Sequence, residues 1–250
     1  KWCGIYKPLI KIWYVLRMKN LKLTIESNPA LTSLIVISLC VGLLFIIKVV
    51  VGGEQPLFNW PRLFVLNGIS LTIVYCLFKF NWQESSGLTL APSQWRNKWF
   101  LAMLPLLVPV LLNLTSVQWQ NLDYSPFRVS AWLIANMSTG LFEELVLRGF
   151  CFCVLYKAWG SSGRGLFLAA LFQALIFGLA HLGNLYHMPA LDVIAQVIFA
   201  TLIGFGFAGL VYLTRSLWPA IIAHTCINAV GSMNEYLLPA FNGNQSPGVS

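Results

Sequence analysis

The sequence predicts an all-α fold, a polytopic transmembrane bundle of about seven helices, or eight with an N-terminal interfacial helix. Three observations predict it. Hydrophobic residues make up 58% of the 250 positions. Charged residues make up only 10%, against ~25% in ordinary soluble domains. The apolar residues also come in runs of roughly 20, the length that crosses a bilayer as a helix. A soluble enzyme of this size could not hide so much apolar surface, and a disordered chain would not carry it. The net charge of +8 invites a nucleic-acid binder. The cations, however, are concentrated rather than spread over a surface, which excludes that class and favours sequence beside a membrane.

Taken in order, residues 1–30 hold Lys1, Lys7, Lys11, Arg17, Lys19 and Lys22 among Trp2, Tyr6, Trp13 and Tyr14. That mixture suits an interfacial helix on the inner leaflet, with a basic tail as the alternative. Spans are expected at 31–52, 63–79 and 99–116, within an N-terminal part covering 31–120. Four more, at 130–155, 165–182, 191–213 and 217–239, make a second part over 121–240. Residues 241–250 form a tail. Lys79, Arg96, Lys98, Lys157, Arg164 and Arg215 fall on the same side as the N-terminal cations, and Lys48, Arg62 and Arg128 on the other. The bias places the N-terminus in the cytoplasm. Cys40, Cys76 and Cys226 lie in apolar runs, and Cys151 and Cys153 form C-x-C, a spacing that makes neither a zinc ribbon nor a redox motif.

Ionisable groups in a bilayer core are costly and default to function. Three places carry them or polar partners. The first is Phe142-Glu143-Glu144-Leu145-Val146-Leu147-Arg148. Glu144 and Arg148 are i, i+4 on one helical face and can pair. Glu143 points ~100° away, without a partner on its own helix, and so is suited to exchange a proton. The alternative is that both acids pair with cations elsewhere and only join helices. The second place is Phe177-Gly178-Leu179-Ala180-His181; the third is His224-Thr225-Cys226-Ile227-Asn228, whose His and Asn share a face. Either could be interhelical hydrogen bonding. Glu143 and His181 stand equally far from the turn at Gly160–Gly163, so two unbroken helices would set them at one depth. His224 would then lie ~14 Å short of that level. The three meet only if the hairpin of spans four and five protrudes, or if the last helix is broken. Gly204-Phe205-Gly206-Phe207-Ala208-Gly209 spells G-x-G-x-x-G but has no preceding strand, so it reads as small-residue helix packing. His187 reads as a loop residue, and Asp192 as an acid at a helix start.

At these residues the chain resembles the CPBP family (CAAX protease and bacteriocin-processing, also called Abi), intramembrane endopeptidases related to the type II CAAX prenyl endopeptidase. The family pattern is E-E-x-x-x-R, then F-x-x-x-H, then H-x-x-x-N. Glu143-Glu144…Arg148, Phe177…His181 and His224…Asn228 match it in order. The stretch from Thr214 to His224 is also similar to the family's last motif. The resemblance covers about residues 125–235. It implies hydrolysis of peptide bonds in a membrane-associated or lipidated substrate, with a bilayer around the protein and no nucleic acid. It also implies an integral protein of a bacterial inner membrane. Carried over, Glu143 and His181 activate the attacking water, and His224 and Asn228 stabilise the oxyanion. Glu144 and Arg148, with Phe177, support the site or the substrate. The favoured chemistry uses no cofactor. Zn²⁺ or another divalent metal held by Glu143, His181 and His224 is the alternative, a metalloendopeptidase. A proton- or ion-coupled carrier, or a non-catalytic scaffold of the same family, remains the rival reading.

Overall fold

The computed structural model describes residues 16–51, 59–89, 99–186 and 188–239. The expectations for residues 1–15, for His187 and for the tail 241–250 lie outside them. The fold is an all-α bundle. Helix α1 (16–27) meets α2 (Pro29–Val51), and α3 covers Trp60–Lys79. A 3₁₀ turn at Trp99–Met103 leads into α4 (Leu104–Thr115). Helix α5 (Pro126–Glu144) runs through a π-helical segment, Leu145–Phe152, into α6 (Cys153–Trp159). Helix α7 (Gly163–Ala180) returns and closes with a 3₁₀ turn, His181–Tyr186. Helices α8 (Ala190–Thr214), α9 (Trp218–Gly231) and α10 (Met233–Leu237) complete the chain.

Among the described residues, four helices are long and apolar enough to cross a membrane: Pro29–Val51, Trp60–Lys79, Gly163–Tyr186 and Ala190–Thr214. They match the expected spans 31–52, 63–79, 165–182 and 191–213. The other three expected spans differ, each for a physical reason. Span 99–116 yields a short apolar helix; Pro105 and Pro109 lack the backbone N–H that helical turns use, and α4 has only 12 residues. Span 130–155 lies within one continuous helical rod, Pro126 to Trp159, whose charged residues lower its hydropathy. It is not a plain α-helix, since its middle widens into a π segment with all eight residues buried. Span 217–239 is broken at Ser232, between the 14-residue α9 and the five-residue α10.

The protruding hairpin is not found. A Cβ on Gly178 would lie 2.0 Å from Thr201 Oγ1, which fixes the register of α7 against α8. From that level α7 runs ~22 Å back to Gly163, and α8 ~20 Å on to Thr214, so the two ends are nearly flush. The α8–α9 corner is held from below. Leu217 donates its backbone N–H to the Gly87 carbonyl at 3.0 Å. Gly87 has φ +79°, and a Cβ there would sit 2.9 Å from the Arg215 carbonyl oxygen. Only glycine satisfies both conditions. Asp192 does sit in the first turn of α8. Helix α1 packs on the far end of α3, where Lys22 donates to the Phe80 carbonyl at 2.9 Å.

Candidate active site

The chain concentrates its buried charge in one layer between α5, the π segment, α7, α8 and α9. Arg148 Nη1 donates to Glu144 Oε1 at 2.6 Å, and both side chains are fully buried. Two charges are tolerated there because each is paired and hydrogen-bonded. Of the other guanidinium nitrogens, Nη2 has a hydrogen-bond partner and the buried Nε has none. Nη2 donates to the Gly204 carbonyl at 3.1 Å. The guanidinium Cζ is 5.0 Å from the ring centroids of both Phe177 and Phe207, a cation–π contact with each. Gln173 Nε2 donates to the same carbonyl at 3.0 Å.

His224 joins this layer to Glu143. Its Nδ1 is 2.7 Å from Glu144 Oε1, and its Nε2 is 3.1 Å from Glu143 Oε2. Glu143, which lacks a partner on its own helix, thus finds one across the bundle. Because Glu144 is the counter-ion of Arg148, the ring's Nδ1–H donates to it. The other ring nitrogen, Nε2, faces Glu143. The Phe207 ring, 5.0 Å from that of His224, fixes the imidazole from the side.

The two adjacent acids therefore meet different surroundings. The Glu144 side chain has no exposure, whereas Glu143 keeps 23%. Glu143 faces a cavity of about 670 Å³, and His181 and Phe177 line the same cavity. His181 donates Nδ1–H to the Phe177 carbonyl at 3.1 Å, which leaves Nε2 as its other polar atom. The Phe177 ring is edge-on to His181 at 5.1 Å and to His224 at 5.9 Å, so one aromatic contacts both histidines. The cavity also contains Asn184 and Gln196, joined at 2.7 Å. The apolar wall opposite comes from α2, with Ile37, Val41, Leu44 and Phe45.

Of the residues expected to form the site, Glu143, Glu144, Arg148, Phe177, His181 and His224 come together. Asn228 is half-buried one turn beyond His224 and does not line the cavity. Sequence reading passed over Gln173, Phe207 and Gly204. Gln173 had a signal, as a lone amide inside an apolar helix. Gly204 lay in the stretch read as helix packing. It does pack, since a Cβ would be 3.0 Å from Phe177 Cδ1, but its carbonyl also receives Arg148 and Gln173.

Residues 125–230 match the family model described as type II CAAX prenyl endopeptidase Rce1-like, a segment that contains Glu143, Glu144, Arg148, Phe177, His181 and His224. Over this segment, less than half of the chain, the sequence is similar to that family. No curated protein and no solved structure is significantly similar to the chain. The Rce1-like segment accounts for the whole buried charge layer and for the Glu143 and His181 side of the cavity; α2 and the start of α3, outside it, supply the opposite wall.

Both nitrogens of His224 face carboxylates, so ligation by Glu143, His181 and His224 would require breaking one of those contacts. Among the described residues, no three His, Cys, Asp or Glu side chains form a ligand group. The set does not fit a His₂Glu centre as it stands.

Proposed function

We propose that this chain is an intramembrane endopeptidase in which Glu143 is the general base for a water held in the cavity. The observation that carries the reading is the split between the two acids: one is locked in a buried ion pair, and its neighbour is open to a cavity that also holds His181. In the proposed step, His181 Nε2 and the free Glu143 oxygen each accept a hydrogen from one water. The water oxygen bonds to the scissile carbonyl carbon as its proton passes to Glu143. Collapse then breaks the C–N bond, and Glu143 returns that proton to the departing amine. His224, backed by Glu144 and Arg148, holds Glu143 in place. A positioned base of this kind contributes ~10²–10⁴ in rate.

This reading departs from the pattern carried over from the family at one point. His224 has no ring nitrogen left for an oxyanion, and Asn228 is outside the cavity, so neither is assigned that role. No step is routed through a metal. The substrate is a membrane-associated protein or peptide, with the prenylated C-termini implied by the family description as the first to try.

The test is direct. Purified protein in detergent, treated with EDTA, is incubated with a prenylated CAAX peptide and with its unprenylated form. Cleavage of the first, detected by mass spectrometry, is the expected result. Ion or solute flux in vesicles without cleavage would replace the endopeptidase with a carrier, and cleavage that chelation abolishes would replace the metal-free chemistry.

A further inference from the structure

A second cavity, of about 420 Å³, lies at the other end of the bundle. Its volume falls within the range of small-molecule clefts, ~300–1,000 Å³. It forms where α3, α6 and α8 end, between the turn at residues 84–87, Lys157 and Arg215. The first cavity reaches Arg62, at the start of α3, so the length of that helix separates the two. Glu143 lines the first cavity and Arg148 the second, so the buried charge layer stands between them.

The second cavity is cationic. Lys157 and Arg215 supply its exposed positive charges, and Glu84 its exposed acid. Among the described residues, neither cation forms an ion pair with a carboxylate, that of Glu84 included. Lys157 lies instead over the Trp82 ring, 5.9 Å from its centroid. Arg215 has φ 54°, a left-handed conformation that residues other than glycine rarely adopt and that clusters at functional sites. The corner imposes it, since Gly87 accepts the Leu217 N–H and packs against the Arg215 carbonyl. That fixes where the Arg215 side chain leaves the backbone. Behind both cations stands Arg148, whose Nη1 and Nη2 are engaged in the buried layer and whose buried Nε has no partner.

One wall is aromatic. Tyr156 packs on Phe152 and Tyr212, with ring centroids 5.9 Å and 6.0 Å away, and is itself 37% exposed. Helices α3 and α8 are each long and apolar enough to cross a bilayer, and the cavity lies where both end. Tyrosines and basic side chains at the end of a span stand at the level of lipid headgroups.

We propose that this second cavity binds an anionic phosphate group. Lys157 meets it as a point charge, and the Arg215 guanidinium takes two of its oxygens as a fork. The phosphate comes from a lipid headgroup or from solution, and both sources present the same oxygens to the two cations. The site requires no proteolysis and stands apart from the endopeptidase reading.

The purified chain in detergent is titrated with phosphatidylglycerol, with phosphatidylcholine, and with inorganic phosphate against chloride at equal ionic strength. Tm is the readout, because a ligand of the folded state raises it. A rise with phosphatidylglycerol beyond that with phosphatidylcholine assigns a headgroup; a rise with inorganic phosphate beyond chloride assigns a free phosphate. In either arm the apparent affinity should fall about tenfold or more in Lys157→Gln and in Arg215→Gln, each of which loses a charge-assisted hydrogen bond. It should persist in Lys157→Arg, and in Arg164→Gln, which removes an exposed cation at the same end that does not line the cavity. It should tighten in Glu84→Gln, which removes the acid. Glu84 is exposed, so that variant decides the matter even where a glutamine variant of Lys157 or Arg215 does not fold. No rise in either arm, a rise that Lys157→Gln and Arg215→Gln keep, an equal loss in Arg164→Gln, or no tightening in Glu84→Gln overturns the proposal.

Discussion

Glu143 and Glu144 are covalent neighbours with the same side chain, yet the bundle treats them as two regions. Below, the Glu144 layer is closed: Arg148, Gln173, the Gly204 carbonyl and the rings of Phe177 and Phe207 surround it with no solvent access. Above, Glu143 looks into about 670 Å³ with His181. The closed layer supplies rigidity and a fixed counter-ion, and the open one supplies a carboxylate with a free oxygen. His224 belongs to both, with one nitrogen on each acid. Adjacency in an apolar helix, ~100° of rotation, is enough to separate a structural acid from a reactive one.

Arg148→Ala attacks the closed layer and should have the largest effect on stability. It leaves Glu144 with only the His224 ring beside it, and a buried pair that loses one partner costs about 3–5 kcal/mol. Thermal unfolding in detergent measures it. An unchanged Tm would mean that the layer is not closed.

Gly204→Ala tests the same layer without altering a charge. The new methyl would sit 3.0 Å from Phe177 Cδ1 and 3.2 Å from Arg148 Nη2. Phe177 is already hemmed in by His181, His224 and Arg148 and has little room to give. Overpacking of this kind costs about 1–3 kcal/mol, again read as a lower Tm. A neutral result would show that the ring can shift.

Asn228→Ala sharpens the boundary of the open region. Because Asn228 does not line the cavity, kcat should stay within about tenfold of the parent. An oxyanion donor at that position would lower it about 10²–10³-fold. A loss of that size would restore the role that the family pattern suggests.

The smallest effect should come from the exposed loop before α5. Asp123 accepts the Ser125 backbone N–H at 2.8 Å and pairs with Arg128 at 3.0 Å. The Ser125 bond, with Arg128 behind it, holds the Asp123 carboxyl below its ordinary range. A depressed carboxyl stabilises the fold above its unfolded value, ~3.9, and loses that contribution as pH falls through the lower folded value. Asp123→Asn should therefore lower Tm slightly at neutral pH, and the difference should vanish once the carboxyl is protonated in strong acid. A difference that persists there would assign Asp123 a role independent of its charge.

Much of this arrangement was legible in the sequence, for reasons that particular residues make clear. The long apolar spans announced α2, α3, α7 and α8, because composition alone decides whether ~20 residues can sit in lipid. Glu143, Glu144, Arg148, His181 and His224 stood out because charge in such runs is costly. What was not legible depended on register between helices. Nothing in Leu145–Phe152 marks a π turn, and the break at Ser232 is hidden in an otherwise apolar run. Helical spacing could pair Glu144 with Arg148, but it could not show His224 arriving from α9 to bridge both acids. Gly204 matters through its backbone carbonyl, which no side-chain pattern encodes.

The central claim is tested most directly by measuring turnover and Tm side by side for Glu143→Gln and Glu144→Gln. Glu143→Gln keeps a hydrogen-bonding group beside His224 but cannot accept the water's proton. It should lose kcat by about 10²–10⁴ at an essentially unchanged Tm. Glu144→Gln should instead lower Tm, because it leaves Arg148 buried without its counter-charge. Full turnover in Glu143→Gln, or an unchanged Tm in Glu144→Gln, would contradict the division of labour between the two acids.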